Sequence, residues 1–180
     1  MPLTLWSVGH STHALADFVA VLARHEVELV AAIRTVPKSR RHPQFHIDAL
    51  TDTLPRHGLA YRHLPQLGGL RSPRSDSPND GWRNRSFRGY ADHALTADFA
   101  GGLQALRHIA QNARTAMMCA EAVWWRCHRR LVADRLLTAG DVVLHIMPDG
   151  RSSPHQLTSF ARRHADGTIT YPAGRATARP

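Results

Sequence analysis

The feature that most constrains the fold is an alternation between short, nearly unbroken apolar runs and segments whose apolar residues repeat with helical period. Residues 3–8, 29–36, 59–64, 116–120 and 142–147 form the runs, too short for buried helices and too continuous for strands with one wet face. Between them, Leu15, Phe18, Val19 and Leu22 make an apolar helical stripe, as do Phe99, Leu103, Leu106, Ile109 and Ala110, and then Leu131, Val132 and Leu136. Residues 47–57 predict a further helix, weakened by Pro55 and closed by Gly58. Ser153 with Pro154 fits the cap and first turn of a last helix. The order predicts a single α/β domain over residues 1–165, Rossmann-like, with a mostly parallel sheet and helices on both faces. Residues 166–180 read as a frayed tail.

One segment breaks the alternation. Residues 65–90 are rich in Gly, Pro, Ser and Arg with aromatics between them, and such long insertions are either disordered or functional. The tip, 72–81, reads as disordered, whereas Trp82, Phe87 and Tyr90 stand among Arg71, Arg85 and Arg88 as a working stretch.

In open α/β sheets the ligand crevice lies outside the carboxyl ends of the strands. Those ends carry His10, Ser11 and His13 after the first run, Arg34 after the second, Cys119 and Glu121 after the fourth, and His145 within the fifth. The densest chemistry falls in MMCAEAVWWRCHRR, residues 117–130, which holds both cysteines. Cys127, His128 and Arg129 stand at a helix start, where free N–H groups and the helix dipole favour an anion and lower a thiol pKa. Glu121 is the carboxylate best placed for chemistry, with an ion pair to Arg34 or Arg129 as its structural alternative. Asp92 is a second catalytic carboxylate or the cap of the next helix, and His10 an acid, base or phosphate donor, or else a packed histidine. Trp124 and Trp125 serve either to stack on a base or to anchor the loop. Cys119 reads as a core residue, and the eight-residue separation of the two thiols matches no short zinc-chelating spacing, so no metal is expected. Because the Gly-x-Gly-x-x-Gly fingerprint is absent after the first strand, no dinucleotide cofactor is implied either.

Charge narrows the partners. Lys+Arg number 23 against 14 Asp+Glu, a formal +9, and Lys38 is the only lysine. Arginine forks pair with phosphate bidentately, although an arginine-favouring genome explains the Arg/Lys ratio equally well. The amino-terminal run is broken by Ser7, His10 and His13, and no apolar window approaches membrane-spanning length, so the expectation is a cytoplasmic protein with reduced thiols and no membrane association.

Five segments together resemble the family catalogued as domain of unknown function 488: Ser7 to Ser11; Arg34 with Pro37, Ser39 and Arg40; Leu67 to Gly69 with Arg71; Asn84 to Phe87 with Gly89 to Asp92; and Cys119 to Glu121 with Cys127 to Arg129. Pro154, His155, Leu157 and Thr158 add a sixth. The resemblance implies a single α/β domain with a site but no established activity. The family pattern commonly has an aspartate two residues before the position of Arg34, where this chain has Ala32; a catalytic step resting on that aspartate is lost here or moves to another carboxylate.

Three functions follow as expectations. The first is an enzyme on nucleic acid, DNA ahead of RNA, resembling a base-excising glycosylase: Glu121 activates water or steadies an oxocarbenium-like sugar, Arg34, Arg40, Arg41, Arg71, Arg88, His128, Arg129 and Ser11 hold phosphates, and Trp82, Phe87, Tyr90, Trp124 and Trp125 stack or wedge. The second is an enzyme on a small phosphorylated or anionic metabolite that uses Cys127 or Glu121. The third is a non-catalytic nucleic-acid-binding module.

Overall fold

The computed structural model describes residues 1–174 apart from Pro37 and Ser39. The strand-ending Pro37, the family-motif Ser39 and tail residues 175–180 therefore lie outside the described residues.

Strands β1 (Thr4–Gly9), β2 (Leu29–Ala32), β3 (Ala60–His63), β4 (Thr115–Cys119), β5 (Val142–Ile146) and β6 (Ser152–Pro154) form one sheet in the order β3-β2-β4-β1-β5-β6. The first five are parallel, and β6 runs antiparallel to β5 at the edge. Helices α1 (Leu15–Arg24), α2 (Ile47–Arg56), α3 (Arg85–His93), α4 (Ala97–Asn112) and α5 (Arg129–Thr138) cover it. Successive side chains alternate between the two faces, because a strand has a period of two. Leu5, Ala31, Met117 and Val143 pack with Tyr90, Phe99, Leu106 and Leu131 of α3, α4 and α5. Trp6, Val8, Val30, Ala116 and Met118 pack with Phe18 and Leu22 of α1 and Leu50 and Leu54 of α2. Apolar burial on both faces explains the continuous runs in the sequence.

From the adjacent strands β1 and β4 the chain departs in opposite directions, through α1 toward β2 and through α5 toward β5. The carboxyl ends of β1 and β4 therefore form a topological switch point, where a crevice opens.

Three expectations are corrected. Ser153 and Pro154 open no helix; they lie in β6, where Ser153 pairs with His145 and Pro154 takes the edge position that a residue without an N–H tolerates. The tail does not fray over 166–174, because Ile169 and Tyr171 are buried in the core and a short hairpin of β7 (Arg162–Arg163) and β8 (Ile169–Thr170) leads into them. The tip of the insertion is pinned by the buried carboxylate of Asp92, which accepts from Arg74 N at 2.8 Å, Ser77 Oγ at 2.6 Å and Asn79 Nδ2 at 2.7 Å. Helix α3 at the end of the insertion has no sequence stripe because its buried face includes Gly89, Asp92 and His93, yet Asn84 caps it through Ser86 N and Phe87 N. Among the described residues, no helix is long and apolar enough to cross a membrane.

Candidate active site

At the switch point lies a cavity of about 390 Å³. His10 after β1, Arg34 and Lys38 after β2, Cys119 at the end of β4 and Glu121 beyond it contribute to it, and Cys127 and His128, immediately before α5, close it. Val36, Leu70, Phe87 and Tyr90 supply apolar walls. Of the acidic side chains, Glu121 alone lines it among the described residues.

The loop between β4 and α5 is seated by close backbone contact. His10 N and Ser11 N donate to the carbonyls of Cys119 and Ala120, prolonging the β1–β4 pairing by two residues. A side chain on Gly9 would stand only 1.8 Å from the Glu121 carbonyl oxygen, so this approach requires glycine. Arg129 Nη2 donates to that same carbonyl at 2.7 Å.

Both thiols are buried in the protein yet face the cavity, and their sulfurs are 2.6 Å apart. The environment drives them in opposite directions. Burial by itself would push the Cys127 thiol up, but the hydrogen bond from Cys119, the charge and ring nitrogen of His128 and the positive charge of Arg129 together hold it well below the ordinary thiol value. Burial, followed by the hydrogen bond and negative charge of Cys127, pushes Cys119 well above it. Of the two sulfurs in contact, Cys119 therefore holds its proton the more tightly and Cys127 gives its own up the more readily. Arg129 N adds a donor to the Cys127 sulfur at 3.5 Å, at the positive end of α5.

His128 completes a dyad. Its Nε2 lies 2.7 Å from the Ile33 carbonyl, an acceptor only, so Nε2 carries the proton and Nδ1 faces the Cys127 sulfur at 3.5 Å. Nucleophile, base and the group that orients the base are thus in sequence. His128 was expected to bind phosphate; its ring is instead directed at sulfur.

His10 is saturated. Its Nδ1 bonds the Ser11 carbonyl at 3.0 Å, Arg34 Nη1 approaches its Nε2 at 3.4 Å, and its ring stacks on Phe45. Burial first, then the charges of Arg34, His42 and Arg129, hold its pKa down at about 4 against the opposing Ser11 bond. It is a neutral histidine that seats Arg34. Ser11 takes part through its backbone, at φ 45°.

Arg34 and Arg129 are buried, and among the described residues neither has a carboxylate within ion-pair distance. The expected pairing with the Glu121 carboxylate is corrected: that side chain is exposed at the cavity edge, and Arg129 binds its backbone carbonyl instead. Arg129 is 1 % exposed and does not line the cavity, so it acts on an anion only through Cys127.

The remaining expected contacts divide sharply. Trp82 is buried and packs on Phe87, Phe160 and Tyr171. Tyr90 is buried with its hydroxyl on the Leu67 carbonyl, and Trp124 lies flat on His145. Trp82 and Tyr90 are held in the core, although Tyr90 also walls the cavity, and half-buried Trp124 gives one face to His145. Arg71 folds back onto the Gly68 and Pro65 carbonyls, and Arg88 Nε donates to Trp82 O. Asp92 neither lines the cavity nor caps α4, whose cap is Thr96. Arg40 and Arg41 are exposed, as is Trp125. Ala32 is fully buried in the apolar face with Val30 and Phe45, so no acid takes the place of the family aspartate there.

Sequence reasoning missed a buried chain behind the thiols. Asp134 accepts from His155 Nε2 at 2.8 Å, His155 Nδ1 meets His145 Nε2 at 2.9 Å, His145 Nδ1 meets Ser7 Oγ at 3.0 Å, and Arg129 Nη1 donates to Ser7 Oγ at 3.4 Å. A carboxylate only accepts and a guanidinium only donates, so His155 Nε2 donates to Asp134 at one end of the chain and Ser7 Oγ accepts from Arg129 at the other. The available signal was partial: His145 stands in the fifth apolar run and His155 in the sixth family-like segment, but nothing in the sequence joins either to Asp134, 21 residues before His155. Among the described residues, no group of three or more His, Cys, Asp or Glu could hold a metal ion.

Comparison with curated proteins and with solved structures gives no significant match to either. A family model, domain of unknown function DUF488, matches residues 14–136. That match spans α1 to α5 and includes both thiols, His128 and Arg34, and since it covers well over half of the sequence, the chain belongs to the DUF488 family.

Proposed function

We propose that the protein is a thiol-dependent enzyme acting on a small anionic organic substrate, with Cys127 as nucleophile and His128 as its base. The observation that carries this reading is Cys127, which lines the cavity just before α5 and whose sulfur is contacted by Cys119, His128 and the Arg129 amide. The anionic preference rests on two buried guanidinium groups, Arg34 and Arg129, without carboxylate partners among the described residues, which place net positive potential behind the sulfur. The thiolate meets an electrophilic centre, and Arg34 and Lys38 hold the negative group. A cytoplasmic setting would keep both thiols reduced.

Alkylation by iodoacetamide across pH tests it. Cys127 should react as a thiol of pKa well under the ordinary value, and Cys127→Ser should remove that reaction. A titration at the ordinary thiol value would sink the proposal.

A second reading, the nucleic-acid enzyme, is favoured by Lys38 and Arg126 lining the cavity mouth and by exposed Arg40, Arg41 and Trp125 on the same loops. It requires affinity for DNA or RNA that weakens steeply as salt rises through about 100 mM. Binding that is absent or insensitive to salt removes it.

A further inference from the structure

A lone nucleophile has no use for a second thiol against it, yet Cys119 lies 2.6 Å from Cys127 and lines the same cavity. We propose that Cys127 and Cys119 are the attacking and resolving thiols of a two-electron dithiol centre whose substrate is an anionic organic disulfide. The inference rests on the thiol reading above and adds the substrate class and the second step.

The chemistry balances with the groups present. The Cys127 thiolate attacks one sulfur of the substrate R–S–S–R, forming Cys127–S–S–R and expelling R–S⁻, which takes up a proton from the His128 ring or from solvent. Cys119 then loses its proton to solvent or to the His128 ring, and its sulfur attacks that of Cys127. The bond to R breaks, a second R–S⁻ leaves, and a Cys119–Cys127 disulfide remains. Two electrons pass from the pair to the substrate; a thiol reductant of the cell must return them for a further cycle.

The surroundings suit both steps. Before the first, burial and then the hydrogen bond and negative charge of Cys127 hold the proton on Cys119. Once Cys127 is in a mixed disulfide that charge is gone, while Arg129 still favours a thiolate at Cys119. Reaction of the first thiol therefore removes part of what holds the proton on the second, while burial still holds the rest. The sulfurs need approach by less than an ångström to reach a bond length of about 2.05 Å. A peroxide would need neither the volume nor the walls: the cavity of about 390 Å³, with Phe87, Val36 and Leu70 beside Arg34, Lys38 and Arg126, suits an organic group bearing carboxylates.

The reduced full-length protein treated with glutathione disulfide, quenched in acid and weighed intact tests the inference. Wild type should lose two hydrogens and both free thiols, without a retained adduct. Cys119→Ser, or Cys119→Ala if the serine variant misfolds, should retain one glutathione on Cys127, and Cys127→Ser should stay unmodified. Cystamine, a cationic disulfide, should react more slowly by about tenfold or more. A glutathione adduct that persists on wild type overturns the resolving role of Cys119, and faster reaction with cystamine overturns the anionic class. If iodoacetamide modifies Cys127 as a low-pKa thiol while neither disulfide reacts, the thiol reading stands and the dithiol inference falls; if iodoacetamide also fails, both fall.

Discussion

At the scale of single residues, the site depends on a few atoms with no slack. His128 is oriented by the Ile33 carbonyl and faces the Cys127 sulfur, so its charge and hydrogen bond both favour the thiolate. Replacing it with Asn should raise the Cys127 pKa by about one unit or more and cut the alkylation rate near neutral pH about tenfold. An unchanged pH profile would leave the thiolate to Cys119 and Arg129 alone. Gly9 is equally exposed to test, since an alanine methyl would collide with the carbonyl that Arg129 holds. Gly9→Ala should cost about 1–3 kcal/mol in urea unfolding and lower Cys127 reactivity at the same time. Loss of stability without a change in reactivity would show that the loop relaxes independently of the thiols.

At the scale of elements, two irregular segments are held by buried carboxylates. Asp92 on α3 gathers the 74–79 stretch, Asn79 Oδ1 then accepts from Tyr171 N, and the Tyr171 hydroxyl donates to Asp134 on α5. Insertion, tail and last helix are therefore one polar structure. Asp92→Ala leaves several donors without their acceptor and should destabilise the protein by about 3 kcal/mol, with new protease cleavage confined to residues 72–81. Tyr171→Phe, which removes one hydrogen bond to a charged acceptor while keeping the ring, should cost about 1.5–3 kcal/mol by urea unfolding. Equal stability in both variants would mean that apolar packing alone holds these segments.

At the scale of the whole molecule, acid should unfold the protein early. Burial depresses His10 to about 4 and His145 to about 3 from the ordinary 6.5. For each, the unfolded chain takes a proton at a pH where the folded chain does not, so stability rises with pH across this window and is lost as pH falls from 6.5 toward the folded values. Between pH 7 and pH 4 the loss should reach about 3 kcal/mol for each ring, read as a falling urea midpoint, and His145→Gln should roughly halve the slope. A stability constant over that range would contradict the neutral state of both rings. The layered fold, the parallel sheet and the gathering of His10, Arg34, Cys119 and Glu121 at one end were legible in the sequence, because apolar periodicity reports which faces must leave water and strand direction then fixes which ends converge. The thiol contact, the turn of Arg129 away from the Glu121 carboxylate, the core placement of Trp82 and Tyr90, the stacking of Trp124 on His145, and the chain from Asp134 to Arg129 were decided only by tertiary structure. Those features depend on distances between side chains far apart along the chain, and on which polar groups are left without water, neither of which has a period that a sequence can carry.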